Sequence, residues 1–195
     1  MKVLVACEFS GIVREAFKAK GHDAWSCDLL PTEILGQHIQ GDVLEILDDG
    51  WDLMIAHPPC TYLSRAGARW WKDTERELKA QNAYKFILQL WEAPILKIAI
   101  ENPIGSLNKR WRYPDQTIQP YFYGHPYSKA TCLWLKNLPP LMATIVNPEY
   151  KPYLPSNVGW GARRGQSHSK GYTHDSKTAS KTFPGIAAAM AEQWG

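Results

Sequence analysis

The chain has 195 residues, enough for one hydrophobic core, and its 45% apolar content with nine tryptophans excludes a disordered or low-complexity chain. No apolar run nears the roughly 20 residues that cross a bilayer, which excludes a helical membrane protein. The net charge of +3 permits contact with nucleic acid without demanding it, and Cys7, Cys27, Cys60 and Cys132 lack the Cys-x-x-Cys spacing of a structural zinc site.

In chain order, Lys2 to Cys7 reads as a first strand, and Glu8 interrupts the apolar run too early for a signal peptide. Gly11 to Lys20 has helical spacing and stops at Gly21. Asp23 to Cys27 predicts a second strand closing on Asp28, and Gly41-Asp42 precedes a helical turn over Val43 to Leu47. Trp51 to Ala56 predicts a strand, Asp73 to Trp91 a long amphipathic helix, and Ile95 to Ile100 a further strand. This alternation predicts an α/β fold with a mainly parallel sheet covered on both faces. Beyond Pro103 the chain is rich in aromatics, prolines and basic residues. Thr131 to Leu135 reads as a strand, Gly159 to Lys181 as a polar loop, and Pro184 to Trp194 as a helix with proline in its first turn. One domain over 1–195 is expected, with 105–181 a reduced second lobe and 183–195 a helix packing back on the core.

Two short segments carry the chemistry. His57-Pro58-Pro59-Cys60 and Glu101-Asn102-Pro103 each follow an apolar strand, and strand carboxyl ends are where open α/β sheets build ligand sites. A thiol and a carboxyl at neighbouring strand ends fit attack on a pyrimidine ring. Addition of the thiolate to C6 makes C5 nucleophilic, and the acid protonates N3 as charge builds there. Pro58-Pro59 stiffens the approach, and Arg65, Arg69 or His57 are candidates to lower the thiol pKa. A buried structural cysteine and a salt-bridging glutamate are the alternatives for the two residues taken singly.

The turn Cys7-Glu8-Phe9-Ser10-Gly11 and the acids Asp28 and Asp42 form the candidate cofactor end. The Gly-x-Gly-x-x-Gly fingerprint is absent, Val13 and Arg14 standing where glycines would be, which speaks against a dinucleotide. A carboxylate at Asp28 suits ribose hydroxyls and one at Asp42 an adenine amino group. An ordinary turn with solvated acids is the alternative. Lys109-Arg110-Trp111-Arg112-Tyr113 is either a phosphate-holding and base-stacking cluster or a surface with a packed tryptophan.

On these residues the chain resembles the cytosine-C5 DNA methyltransferase family, in particular compact phage- and prophage-encoded members. Phe9-Ser10-Gly11 is similar to that family's cofactor motif, Pro58-Pro59-Cys60 to its nucleophile motif and Glu101-Asn102 to its Glu-Asn motif. The resemblance implies a Rossmann-like methyltransferase fold and S-adenosylmethionine as cofactor. It implies Cys60 as nucleophile, Glu101 as N3 proton donor, and Glu8, Phe9, Ser10, Gly11, Asp28, Asp42 and Pro58 around the cofactor. Pro59, Asn102, Arg65, Arg69, Arg112 and Arg163 are the expected substrate contacts. It implies DNA, duplex or single-stranded, as partner, with a free cytosine nucleotide as the alternative, and a cytoplasmic site of action in a bacterium or a phage-infected cell.

The sequence also departs from that pattern. Cys7 replaces the usual acid, Pro103 replaces a valine, the Gln-x-Arg-x-Arg motif is not present in order, and the recognition lobe is short. An amino-methyltransferase, a non-catalytic binding protein on the same fold, and a zinc site using His57 and Cys60 with His125, His168 or His174 remain as other readings.

Overall fold

A computed structural model describes residues 1–64, 74–152 and 176–195. The chain runs β1 (Lys2–Ala6), α1 (Ile12–Ala19), β2 (Asp23–Asp28), β3 (His38–Gln40), a 3-10 turn (Val43–Ile46) and β4 (Leu53–Ala56). It continues with α2 (Thr74–Glu92), β5 (Lys97–Pro103), α3 (Leu107–Arg110), β6 (Gln116–Ile118), a second 3-10 turn (Pro120–Phe122) and β7 (Tyr127–Ser128). β8 (Thr131–Lys136), β9 (Lys151–Pro152), α4 (Ser176–Ser180) and α5 (Pro184–Trp194) complete it.

Seven strands form one sheet in the order β3-β2-β1-β4-β5-β8-β6, and β7 pairs with β9 separately. β3, β2, β1, β4 and β5 are mutually parallel. β8 runs antiparallel between β5 and β6. The chain leaves β1 toward β2 on one side and reaches β4 on the other. A crevice opens at such a switch point, outside the strand carboxyl ends.

Alternation along the strands divides the core into two layers, as a side-chain period of two requires. Leu4, Ala6, Met54, Ala56, Ile98 and Ile100 face α2, where Ala80, Ile87 and Leu90 meet them. Val3, Val5, Leu53, Ile55 and Ala99 face the other way, onto Val13 and Phe17 of α1 and Ile186, Met190 and Trp194 of α5. Each such side chain, once fully buried, contributes about 1.5–3 kcal/mol. The predicted parallel α/β architecture is therefore found, with helices on both faces.

Two strands differ from the sequence expectation. β5 does not end at Ile100 but runs to Pro103, because β8 pairs Glu101 with Leu133, Asn102 with Cys132 and Pro103 with Thr131. β4 begins at Leu53, Trp51 serving instead as a core residue whose indole donates to the Ile46 carbonyl. The three-residue strands β3 and β6 have too little pattern to be read from sequence. Among the described residues no helix is long and apolar enough to cross a membrane.

Candidate active site

The turn after β1 is built by one unusual backbone conformation. Cys7 has φ 58, in the left-handed region that residues other than glycine seldom enter. The chain therefore swings sharply, and the next side chain, Glu8, goes inward. Its Oε1 accepts from the Val13 amide at 2.7 Å and from the Ser10 hydroxyl at 3.0 Å, and Oε2 accepts from the Arg14 amide at 3.3 Å. Glu8 thus caps α1, satisfying amides that have no partner within the helix. Gly11, at φ 76, begins the helix, and a Cβ there would meet the Arg14 guanidinium at 2.8 Å. Arg14 is fully buried and donates to Ser26, Thr32 and the Ile34 carbonyl, so it fixes the loop after β2.

A cavity of about 460 Å³ lies at the carboxyl ends of β1 and β2. Cys7, Cys27, Asp28 and Leu29 form one wall, Gly41, Asp42 and Val43 the next, and Pro59 and Tyr62 the side toward Cys60. Lys79, Asn82, Ala83 and Phe86 of α2 close it, four residues spaced as one helix face. Asp28 Oδ1 accepts from the Leu30 amide at 2.9 Å and Asp42 Oδ1 from the Leu44 amide at 3.0 Å. Each carboxylate is thereby oriented, with its second oxygen left for a ligand. The Cys27 thiol is pushed up to about 11 by burial and by the Asp28 charge, and Cys7 is pushed up by the same causes. Both line the cavity as neutral thiols.

Of the expected cofactor residues, Asp28 and Asp42 line this cavity. Glu8, Phe9, Ser10, Gly11 and Pro58 are not among its lining residues. Glu8 and Ser10 are spent on the helix cap, Phe9 packs beneath the Lys177 ammonium at 5.1 Å, and Pro58 contributes a carbonyl elsewhere. The turn's contribution to the cavity comes from Cys7 instead. The α2 face was missed, although its spacing with the small Ala83 was visible in the sequence.

The second part of the site joins β4 to β5, whose register sets Ala56 beside Ile100. Asn102 Nδ2 donates to the Pro58 carbonyl at 2.9 Å, tying the Pro-Pro-Cys segment to β5. His57 Nδ1 lies 3.2 Å from Glu101 Oε2. The Cys60 carbonyl accepts from the Leu63 and Ser64 amides, closing a turn under the thiol. Gly105 packs against that turn, and a Cβ there would collide with the Leu63 carbonyl.

Cys60 is partly exposed, and its thiol is pushed up by burial first and the Glu101 charge second, with Lys129 pulling it back. Glu101 and Lys129 therefore stand close enough to act on the sulfur. Both also line a recess of about 20 Å³ with Lys181 and Phe183. Sequence reading had missed Lys129, whose signal is only its place just before β8. It had also offered His57 as an activator of Cys60, whereas the ring faces Glu101.

Arg112 stands apart from these groups. It forms a two-pronged pair with Asp115 at 2.9 and 2.8 Å and lies about 5 Å over both Trp91 and Trp111. Trp111 in turn packs on Trp134, as the packed-tryptophan alternative expects, while Tyr113 of the same run is exposed. Arg110 is likewise engaged, with Glu77. Arg65, Arg69 and Arg163 lie outside the described residues.

The sheet order, with one antiparallel strand inserted between β5 and β6, defines a Rossmann-like α/β fold. A solved structure from E. coli, assigned as a DNA modification methyltransferase encoded within a prophage, has the same fold at a TM-score of 0.51. The two are 17% identical over 76% of this chain and 52% of the other, so this chain spans about half the length of the protein it resembles. No protein-family profile and no curated protein matches the sequence.

Proposed function

We propose that this chain is an S-adenosylmethionine-dependent methyltransferase acting on C5 of cytosine in DNA. The observation that carries the reading is the pair of ties between β5 and the segment after β4, Asn102 to Pro58 and His57 to Glu101, which join the turn bearing Cys60 to the strand bearing Glu101, while Pro59, next to Cys60, lines the larger cavity. The cavity fits the cofactor in size, since pockets for small ligands run about 300–1,000 Å³. It also fits in chemistry: two oriented carboxylates suit ribose hydroxyls and an adenine amine, while Leu29, Val43, Ala83 and Phe86 offer apolar faces to the base. The absence of a phosphate-cradling glycine pattern is no obstacle to a phosphate-free molecule. When bound, the cofactor supplies an electrophilic methyl group.

The residues then act in sequence. The Cys60 thiolate adds to C6, and Glu101 gives a proton to N3, so that negative charge does not accumulate on the ring. C5 becomes enamine-like and takes the methyl group. Loss of the C5 proton to a base and of the sulfur restores the aromatic ring, and N3 returns its proton to Glu101. A base inside a duplex must first leave its stack to meet a thiol in this position. Arg65, Arg69 and Arg163 are proposed to contact the substrate, with 105–181 as a reduced recognition lobe except for β6 and β8, which belong to the central sheet. DNA is favoured by the likeness in fold to a protein assigned to DNA modification.

The test is incubation of the protein with a tritiated methyl donor and, separately, duplex DNA, single-stranded DNA and cytosine nucleotides. Label retained at C5 of cytosine in DNA supports the reading. Label only in nucleotides moves the substrate class, and label on an exocyclic amine, surviving Cys60→Ser, overturns the mechanism.

A further inference from the structure

We infer that His57 is a positioning residue for the acid step: as the neutral Nδ1–H tautomer it donates to Glu101 Oε2 and so presents Oε1, carrying the proton, to the substrate ring. This rests on the reaction proposed above. His57 is held at both ends. Its amide donates to the Ala6 carbonyl at 2.9 Å, and its ring meets Glu101 at 3.2 Å. The side chain is 7% exposed, and Nε2 is buried with no partner among the described residues.

That orphaned nitrogen selects the tautomer. An imidazolium would place an unpaired, charge-bearing N–H in a dry site. The Nε2–H tautomer would leave an unpaired N–H there and turn a bare lone pair toward the carboxyl group. The Nδ1–H tautomer pairs its donor and leaves only an acceptor unmatched, the least costly of the three. Several ionisable groups surround the pair. Cys60 feels the Glu101 charge; Lys129 and Lys181 line the same recess, Lys181 being engaged with Glu33; and Cys132 on β8 sits opposite Asn102.

The proton balance closes within the pair. The O–H bond at Glu101 Oε1 breaks as N–H forms at N3. The carboxylate left behind keeps the His57 donor on Oε2, and the proton returns to Oε1 when the sulfur leaves. His57 itself neither gains nor loses a proton.

The experiment is ¹⁵N NMR of the histidine rings in the full chain and its Glu101→Gln variant, combined with methylation kinetics of His57→Phe and His57→Asn. An Nδ1–H tautomer whose proton resonance moves on Glu101→Gln is expected. His57→Phe keeps the ring shape and removes the donor, so kcat falls about 100-fold with KM for DNA and for the methyl donor nearly unchanged. His57→Asn, whose amide N–H overlays Nδ1, restores most of the rate. An Nε2–H tautomer, an indifferent His57→Phe, or equal loss in both variants overturns the inference. A wild-type protein that labels no cytosine while keeping the Nδ1–H signal overturns instead the reaction reading, and with it the role given to His57.

Discussion

The two halves of the site treat their polar groups in opposite ways. Around the cavity, Glu8, Asp28 and Asp42 each accept a backbone amide, and buried Arg14 is bonded through both its terminal nitrogens. Where β4 meets β5, His57 Nε2 and Asn102 Oδ1 are buried with no partner among the described residues. An unsatisfied buried polar atom costs about 1–3 kcal/mol, so the second region stores a cost that the first does not. The difference teaches how each region is held: around the cavity, backbone amides orient the carboxylates, whereas at the strand ends buried polar atoms stay unpaired among the described residues.

The sharpest way to break this contrast is at the sulfur. Cys60→Ser should lower methyl transfer by more than about 1,000-fold, measured with tritiated donor, while calorimetric binding of S-adenosylmethionine stays as in the wild type. If donor binding falls with it, the two halves are not separable. Glu101→Gln comes next, with a loss of about 100-fold or more in kcat. Its pH profile carries a sign. The thiol titrates above its ordinary range because of burial and the Glu101 charge, so the rate should climb with pH on the alkaline side of neutrality. Removing that charge shifts the ascending limb to lower pH, and Lys129→Gln, which removes the offsetting cation, shifts it to higher pH.

On the cavity side the effects are smaller and fall on binding. Asp28→Ala or Asp42→Ala should weaken donor affinity about tenfold, as one charged hydrogen bond is worth roughly 1.5–3 kcal/mol, and leave kcat at saturation nearly intact. Glu8→Ala should cost about 1–2 kcal/mol of stability in urea unfolding by stripping the cap from α1, with a lesser effect on donor affinity. The smallest change is expected from Arg112→Ala, whose exposed ion pair contributes about 0–1 kcal/mol and which should leave DNA methylation within about twofold.

Those expectations also mark what could be read without coordinates. β1, β2, β4 and β5 were legible because each is a short apolar run bounded by turn residues, and α5 because Pro184 suits its first turn. Cys60 and Glu101 were legible as a thiol and a carboxyl following apolar runs. Their partners were not. His57 reaches Glu101 only through the register of β4 on β5, and the extension of β5 depends on an antiparallel strand that arrives thirty residues later in the chain. The inward turn of Glu8 depends on a single dihedral at Cys7, which no composition or spacing reveals. Trp111 and Arg112 left two readings open for a related reason: an aromatic-basic run looks the same whether its rings meet a nucleobase or Trp134.

The backbone at position 7 bears on how this chain tolerates change. A left-handed residue that is not glycine carries about 1–2 kcal/mol of conformational strain, so Cys7→Gly would relax the turn and raise the melting temperature. A valine or isoleucine there would be rejected outright. Thermostability is thus available at that one position, but only by stripping a sulfur from the wall of the cavity.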